Sequence, residues 1–184
     1  FERVRSTGIR AITVAEDDAL AWVETSSGHD DVVITTAQGK IARFHEDEVR
    51  PMGRDAAGVI GIRLAQKDDQ VVGMQVVQPD ADILVLTETG YGKRVALKEF
   101  RTMHRGSQGV RLIGLEGRKT GKVSAVALVD ESDEELLLIS AGGQVVRTDV
   151  KSVNRFRSDA RGVIVMRLKD GDAVAGIAVF RAGL

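Results

Sequence analysis

Apolar residues run in short bursts along this chain, and the bursts repeat. Three stretches share one layout, an apolar run, a glycine turn and a second short run: "VVITTAQGKIARF" (32–44), "ILVLTETGYGKRVAL" (83–97) and "LLLISAGGQVVRT" (136–148). A second element recurs with them: "GIRAITV" from Gly8, "GVIGIRL" from Gly58, "GVRLIGL" from Gly109 and "GVIVMRL" from Gly162, at spacings of 50, 51 and 53 residues. In each, the fourth and sixth residues after the glycine are apolar: Ile12 and Val14, Ile62 and Leu64, Ile113 and Leu115, Met166 and Leu168. That period of two marks a strand with one buried face. A third element follows each full copy: "QVVGMQVV" (70–77), "KVSAVALV" (122–129) and "AVAGIAVF" (173–180). "ALAWVET" (19–25) is its counterpart near the N-terminus. Helical periodicity is nearly absent; 98–104 and 149–156 have room for a single turn.

Each full unit therefore predicts four short strands, bounded by Gly, Asp or Ser turns. Four strands in about 50 residues suit radially arranged blades. The expected fold is all-β, a propeller-like array of four-stranded blades in one domain. Its units are 1–26 (incomplete), 27–77, 78–129 and 130–184. WD40 repeats are shorter and carry Gly-His and Trp-Asp signatures, which this chain lacks; Trp22 is its only tryptophan.

Composition adds three points. Apolar residues make up 43% of the chain but aromatics only 4%, so the core is aliphatic. There is no cysteine, which removes disulfides and thiolate metal sites. No run approaches the ~20 apolar residues of a membrane span, so no membrane partner is expected and a cytoplasmic location fits.

The net charge of −1 hides an uneven distribution. Residues 78–129 are net +4, with nine basic and five acidic residues, and the other units are slightly negative. Acidic residues gather at expected loop tips (Glu16–Asp18, Asp30–Asp31, Asp68–Asp69, Asp130–Glu131, Asp133–Glu135). Basic residues gather between the glycine hairpin and the Gly-Val strand. They are Lys40, Arg43, Arg50 and Arg54 in the first full unit, and Lys93, Arg94, Lys98, Arg101 and Arg105 in the second. The third has Arg147, Lys151, Arg155, Arg157 and Arg161. Charged loops cover any soluble β protein, but recurrence in register predicts cations along one edge. Such a row neutralises successive phosphates and releases counterions, without reading sequence directly. Only Phe44, Phe100 and Phe156 lie among these positions, so base stacking on single strands is not favoured. No recognition helix is available for a major groove.

Other chemistries fit poorly. Tyr91, in "TGYGKR" (89–94), has basic neighbours but no carboxylates placed to hold a metal, and a hairpin tip accounts for its glycines. Gly92-Lys93 is followed by Arg94, which breaks the P-loop pattern. His29, His45 and His104 lack ligand spacing, and the acidic clusters lack EF-hand spacing. Met52 and Met103 read as core filling. No catalytic residue and no metal site are assigned.

Together "TGYGKR", "RPMGRDAAGVIGIRL" (50–64), and "VRTDVKSV" with "GVIVMRL" resemble the C-terminal DNA-wrapping domain of bacterial DNA gyrase A, in register through the three full units. The resemblance implies a β-pinwheel, a propeller whose neighbouring blades exchange strands, with a basic outer rim that wraps duplex DNA. The chain then corresponds to the last four blades, the first incomplete. The recurrent Lys and Arg residues named above would be the DNA contacts. The resemblance also implies gyrase B as partner in an A2B2 heterotetramer of a nucleoid-associated enzyme. ATP and Mg²⁺ are used elsewhere in that holoenzyme, and no cofactor is expected here. Three departures matter: the family's basic box, Q-R-R-G-G-K/R-G, is absent from the sequence, as are the cleaving tyrosine and the acidic tail. The chain is expected to bind or bend DNA without cutting it. The alternatives are the equivalent domain of topoisomerase IV, a propeller-type protein-interaction scaffold, or an enzyme with a site at a propeller axis. The aliphatic inner positions argue against the last.

Overall fold

A computed structural model describes residues 6–78, 80–130 and 132–181. Its strands, in chain order, are β1 Asp31–Thr36, β2 Lys40–His45, β3 Val71–Val76, β4 Asp82–Thr87, β5 Tyr91–Ala96, β6 Val110–Arg111, β7 Val123–Val129, β8 Asp133–Ser140, β9 Val145–Asp149, β10 Val163–Ile164 and β11 Val174–Arg181. The chain is all-β, and the helical pieces are single 3₁₀ turns.

The hairpins form where the sequence places them, and for one local reason. Thr36, Thr87 and Ser140 each accept a hydrogen bond from the glycine three residues on, at 2.9, 3.0 and 3.0 Å. Those glycines, Gly39, Gly90 and Gly143, have φ of +71°, +85° and +82°. A turn closed by a left-handed residue is a common short hairpin, and glycine enters that region without strain.

The sheets do not follow the sequence units. Their strand orders are β3-β1-β2-β6, β10-β5-β4-β7 and β11-β8-β9, with neighbouring strands antiparallel. β6 comes from unit 78–129 yet pairs with β2, and β10 comes from unit 130–184 yet pairs with β5. Each Gly-Val strand thus completes the preceding blade. The glycine that opens it makes this approach possible. Gly109 and Gly162 have φ of +67° and +84°, and a Cβ on them would fall 2.6 Å from the Ile41 carbonyl oxygen and 2.3 Å from that of Gly92. Past the glycine, the Leu112 amide donates to the Gly39 carbonyl at 2.8 Å and the Val165 amide to Gly90 at 2.9 Å. A further bond between units recurs in three copies: Thr13 to Ala56, Arg63 to Ser107 and Gly114 to Ala160, amide to carbonyl, at 3.1, 2.9 and 3.1 Å.

Packing between blades is aliphatic, as the composition requires. β4 is buried along its whole length, and its alternating side chains serve two cores. Ile83 and Val85 join Val33, Ile41, Val95 and Leu112 on one side. Leu84 and Leu86 join Leu136, Leu138, Val150 and Met166 on the other. The inner strands touch in succession, β7 lying against both β3 and β11. At Gly73 a Cβ would stand 2.2 Å from a Val126 methyl carbon. β3, β7 and β11 therefore line the hub, and the exchanged strands β6 and β10 lie at the outer edge.

Three local expectations differ from the structure. "ALAWVET" is not a strand; no ladder partner faces it among the described residues, and Leu20 and Val23 are exposed. Residues 8–14 and 58–64 form no strand, and their one ladder contact among the described residues is a bridge from Ile62 to Ser107. Asp31 begins β1 and Glu135 lies within β8, not at loop tips, and each pairs with an arginine across its hairpin. Gly171 provides a control for the exchange glycines, since it has φ of +80° but nothing within 4 Å of its added Cβ. Gly171→Ala should cost about 1–2 kcal/mol of strain, and Gly162→Ala at least twice that, as read by urea unfolding. Equal losses would show that close backbone approach contributes nothing.

Candidate nucleic-acid interface

The connectors that leave β2, β5 and β9 carry most of the sequence-predicted cations. Each opens with a 3₁₀ turn, Glu46–Glu48, Leu97–Glu99 or Val150–Ser152. The second and third then cross to the neighbouring sheet to become β6 and β10. Lys98, Arg101, Arg105, Lys151, Arg155, Arg157 and Arg161 therefore ride on crossovers between sheets, beside the outermost strands, while Arg50 and Arg54 lie on the connector from β2 to β3 of one sheet. Arg50, Arg54, Lys98, Arg101, Lys151, Arg155 and Arg157 are exposed. Among the described residues, the side chains of all of these except Arg155 have no ion-pair or hydrogen-bond partner. Arg155 donates to Asp82 at 2.9 Å. Arg105 is half-buried and donates to the carbonyls of Glu48 (3.2 Å) and Ile60 (2.5 Å). Arg161 donates to Glu116 at 2.6 Å and lies over the Tyr91 ring, 5.0 Å from its centre. Lys40 is half-buried at the start of β2.

Four more sequence-predicted contacts, all on the second strands of the hairpins, are engaged within the fold. Arg43, Arg94 and Arg147 occupy one position in successive hairpins, and each pairs diagonally with an acid on the facing strand: Asp31, Asp82 and Glu135. Arg43 also donates to the carbonyls of Leu97 and Phe100, at 3.2 and 3.3 Å, and Arg94 to that of Val153 at 2.7 Å. These two arginines bind one blade to the next crossover. Arg147 makes no such bond among the described residues and is 70% exposed.

Lys93 departs furthest from the sequence reading. It lies mid-strand in β5, not at a hairpin tip, and is fully buried. Its ammonium donates to the carbonyls of Arg157 and Ser158, at 2.5 and 3.0 Å. Burial pushes its pKa down to about 8, against the opposing pull of Asp159 and Glu99. Gly92 beside it is a packing glycine: a Cβ would fall 2.3 Å from a Leu86 methyl carbon. Alternation along the strand accounts for the placement, since Lys93 and Arg94 must face opposite ways.

Other cations are exposed and fall outside the sequence prediction. Arg10 and Arg111 follow the Gly-Val glycine by two residues; Arg63 and Arg167 follow it by five. The repeat register carries that signal, but the hairpin-to-glycine window stops short of it. Among the described residues no cluster of His, Asp or Glu could hold a metal ion, and no helix is long and apolar enough to cross a membrane.

A protein family described as DNA gyrase C-terminal domain, beta-propeller, matches at residues 2–27, 30–78, 81–130 and 134–181. The chain belongs to this family. Its relatives include the DNA gyrase A protein of Salmonella typhimurium, 41% identical over 96% of this chain, and that of Staphylococcus epidermidis, 37% identical over 97%. The chain spans about a fifth of the length of either relative (20% in both cases). Among solved structures, a DNA gyrase A C-terminal domain superposes with a TM-score of 0.85 at 28% identity, covering 95% of this chain and 58% of that one. A topoisomerase IV C-terminal domain reaches 0.91 at 23% identity, over 99% of this chain and 56% of that one. The latter speaks for the fold alone. The strand exchange expected of a β-pinwheel is therefore present in this gyrase C-terminal domain.

Lys93 makes a pH dependence testable. Its folded pKa lies below the unfolded value of 10.5, so between about 8 and 10.5 the unfolded chain binds more protons. Stability should then rise with pH across that window relative to Lys93→Met, and the difference should be flat below about 8. Urea unfolding at pH 7 and pH 10 checks this; no change in the difference would mean the ammonium is not desolvated.

Proposed function

We propose that this gyrase C-terminal domain binds and wraps duplex DNA on its outer edge, as a non-enzymatic module of gyrase A. The observation that carries the reading is the row of exposed Lys and Arg on the connectors that leave the three hairpins, unpaired among the described residues. Contacts would come from Arg50, Arg54, Lys98, Arg101, Lys151 and Arg157, with Lys40, Arg105, Arg155 and Arg161 at the margin. Lys93, Arg43 and Arg94 would hold the crossovers in place, and Arg147 would reach DNA only by leaving Glu135. These cations meet phosphates, so sequence preference would come from the ease of bending the duplex.

In the holoenzyme the module would work with gyrase B in an A2B2 assembly in the bacterial cytoplasm, on nucleoid DNA. It would present a wrapped crossover for ATP-driven strand passage that introduces negative supercoils. ATP and Mg²⁺ would act on other parts of that assembly, and the domain itself would need no cofactor. The names of the relatives favour gyrase over topoisomerase IV.

Duplex affinity should fall steeply with salt. Arg50→Gln/Arg54→Gln/Arg101→Gln should flatten the log K against log salt slope by about 2–3. Tyr91→Phe, which keeps the ring under Arg161, should leave affinity within about twofold. Absence of binding at low salt, or binding indifferent to salt, would favour a protein-interaction scaffold instead.

A further inference from the structure

Where β2 meets the exchanged strand β6, Lys40 stands directly opposite Arg111. Directly opposed residues of an antiparallel pair point to the same face, with Cβ atoms about 5 Å apart, and like charges there are destabilising. Neither side chain has an ion-pair or hydrogen-bond partner among the described residues. The equivalent pair one blade on is uncharged, Tyr91 opposite Ile164, so the fold does not require this doublet. Both cations line an open cleft of about 260 Å³ with Gln38, Gly39 and the 113–115 segment, and no acidic residue among those described lines it. Carboxylates on the adjoining segments are committed elsewhere. Asp69 accepts from the Gln38 amide at 2.9 Å, and Asp68 pairs with Lys122 at 2.9 Å. Glu116, next to the cleft, pairs with Arg161 and Lys119.

We infer that Lys40 and Arg111 form a two-pronged clip for a DNA backbone phosphate, assembled across the strand exchange. The inference rests on the DNA-binding reading above and adds to it a site built from two units. Lys40 belongs to one blade by sequence and Arg111 to the next. A phosphate between them replaces repulsion with two charge-assisted bonds. Occupancy of the clip therefore favours the β2–β6 pairing, and DNA stabilises the seam that creates its own site.

The test uses the 184-residue chain and a fluorescent duplex, over a series of salt concentrations. Lys40→Gln/Arg111→Gln is compared with Arg167→Gln/Lys169→Gln, which removes the same charge from exposed positions elsewhere. The clip variant should lower affinity by about tenfold and flatten the salt slope by about one to two, more than the control pair. Free of DNA, Lys40→Glu should be more stable to urea than the unaltered chain, because it turns a repelling pair into an attracting one, while it binds DNA more weakly. Hydrogen exchange at Val110–Leu112 should slow on adding DNA to the unaltered chain and not in the clip variant. If the unaltered chain binds with a steep salt dependence and the clip variant matches the control pair, the clip is wrong and the DNA-binding reading stands. If the unaltered chain fails to bind the duplex at low salt, the underlying reading fails, and the clip with it.

Discussion

The fold depends on one contact made repeatedly, a strand from one unit lying against the hairpin of the unit before it. The contact is a backbone matter. Two glycines meet at each seam, one closing the hairpin and one opening the incoming strand, and both have positive φ. At Gly90 a Cβ would stand 2.0 Å from the Met166 carbonyl oxygen, and at Gly162 one would stand 2.3 Å from that of Gly92. No side chain fits on either side of that approach. The aliphatic cores then follow, because the exchange brings Leu112 and Met166 into the spaces between sheets.

The same seams place the charge. A chain that leaves one blade to complete another must cross the outer edge, and a crossing loop exposes polar groups. Lysines and arginines on it are held from below by Lys93, Arg43 and Arg94, whose donors occupy carbonyls of the crossovers. The cations thus divide by depth: one layer anchors the loop and the next faces solvent. A buried ammonium beneath exposed guanidiniums is tolerable because two carbonyls receive it.

Much of this is legible in the sequence. Glycine spacing and alternation locate the strands of the three hairpins and those that follow them, since a period of two and a left-handed turn are local properties. The repeat register also places the basic segments along the chain. Depth is less legible. Lys93 and Arg94 are adjacent and equally basic, yet one is buried and the other half-buried. That distinction depends on which face of β5 meets a crossover arriving more than sixty residues later (Lys93 to Arg157 spans 64). The repeat register places Arg111, but its pairing with Lys40 is defined only by the exchange. "ALAWVET" has strand composition, but composition does not supply a neighbour to pair with.

β4 has a further consequence. Its two faces belong to different cores, so neither core can melt while the other keeps its shape. The seams act in the same direction, since peeling off one repeat at its sequence boundary would strip an edge strand from its neighbour. The frame in which this chain repeats and the frame in which it folds are therefore interleaved: β6, which completes the first sheet, lies in the chain between β5 and β7 of the second. A graft that moves the first sheet intact would have to carry Asp31 through Arg111, and with it β4 and β5 of the next sheet.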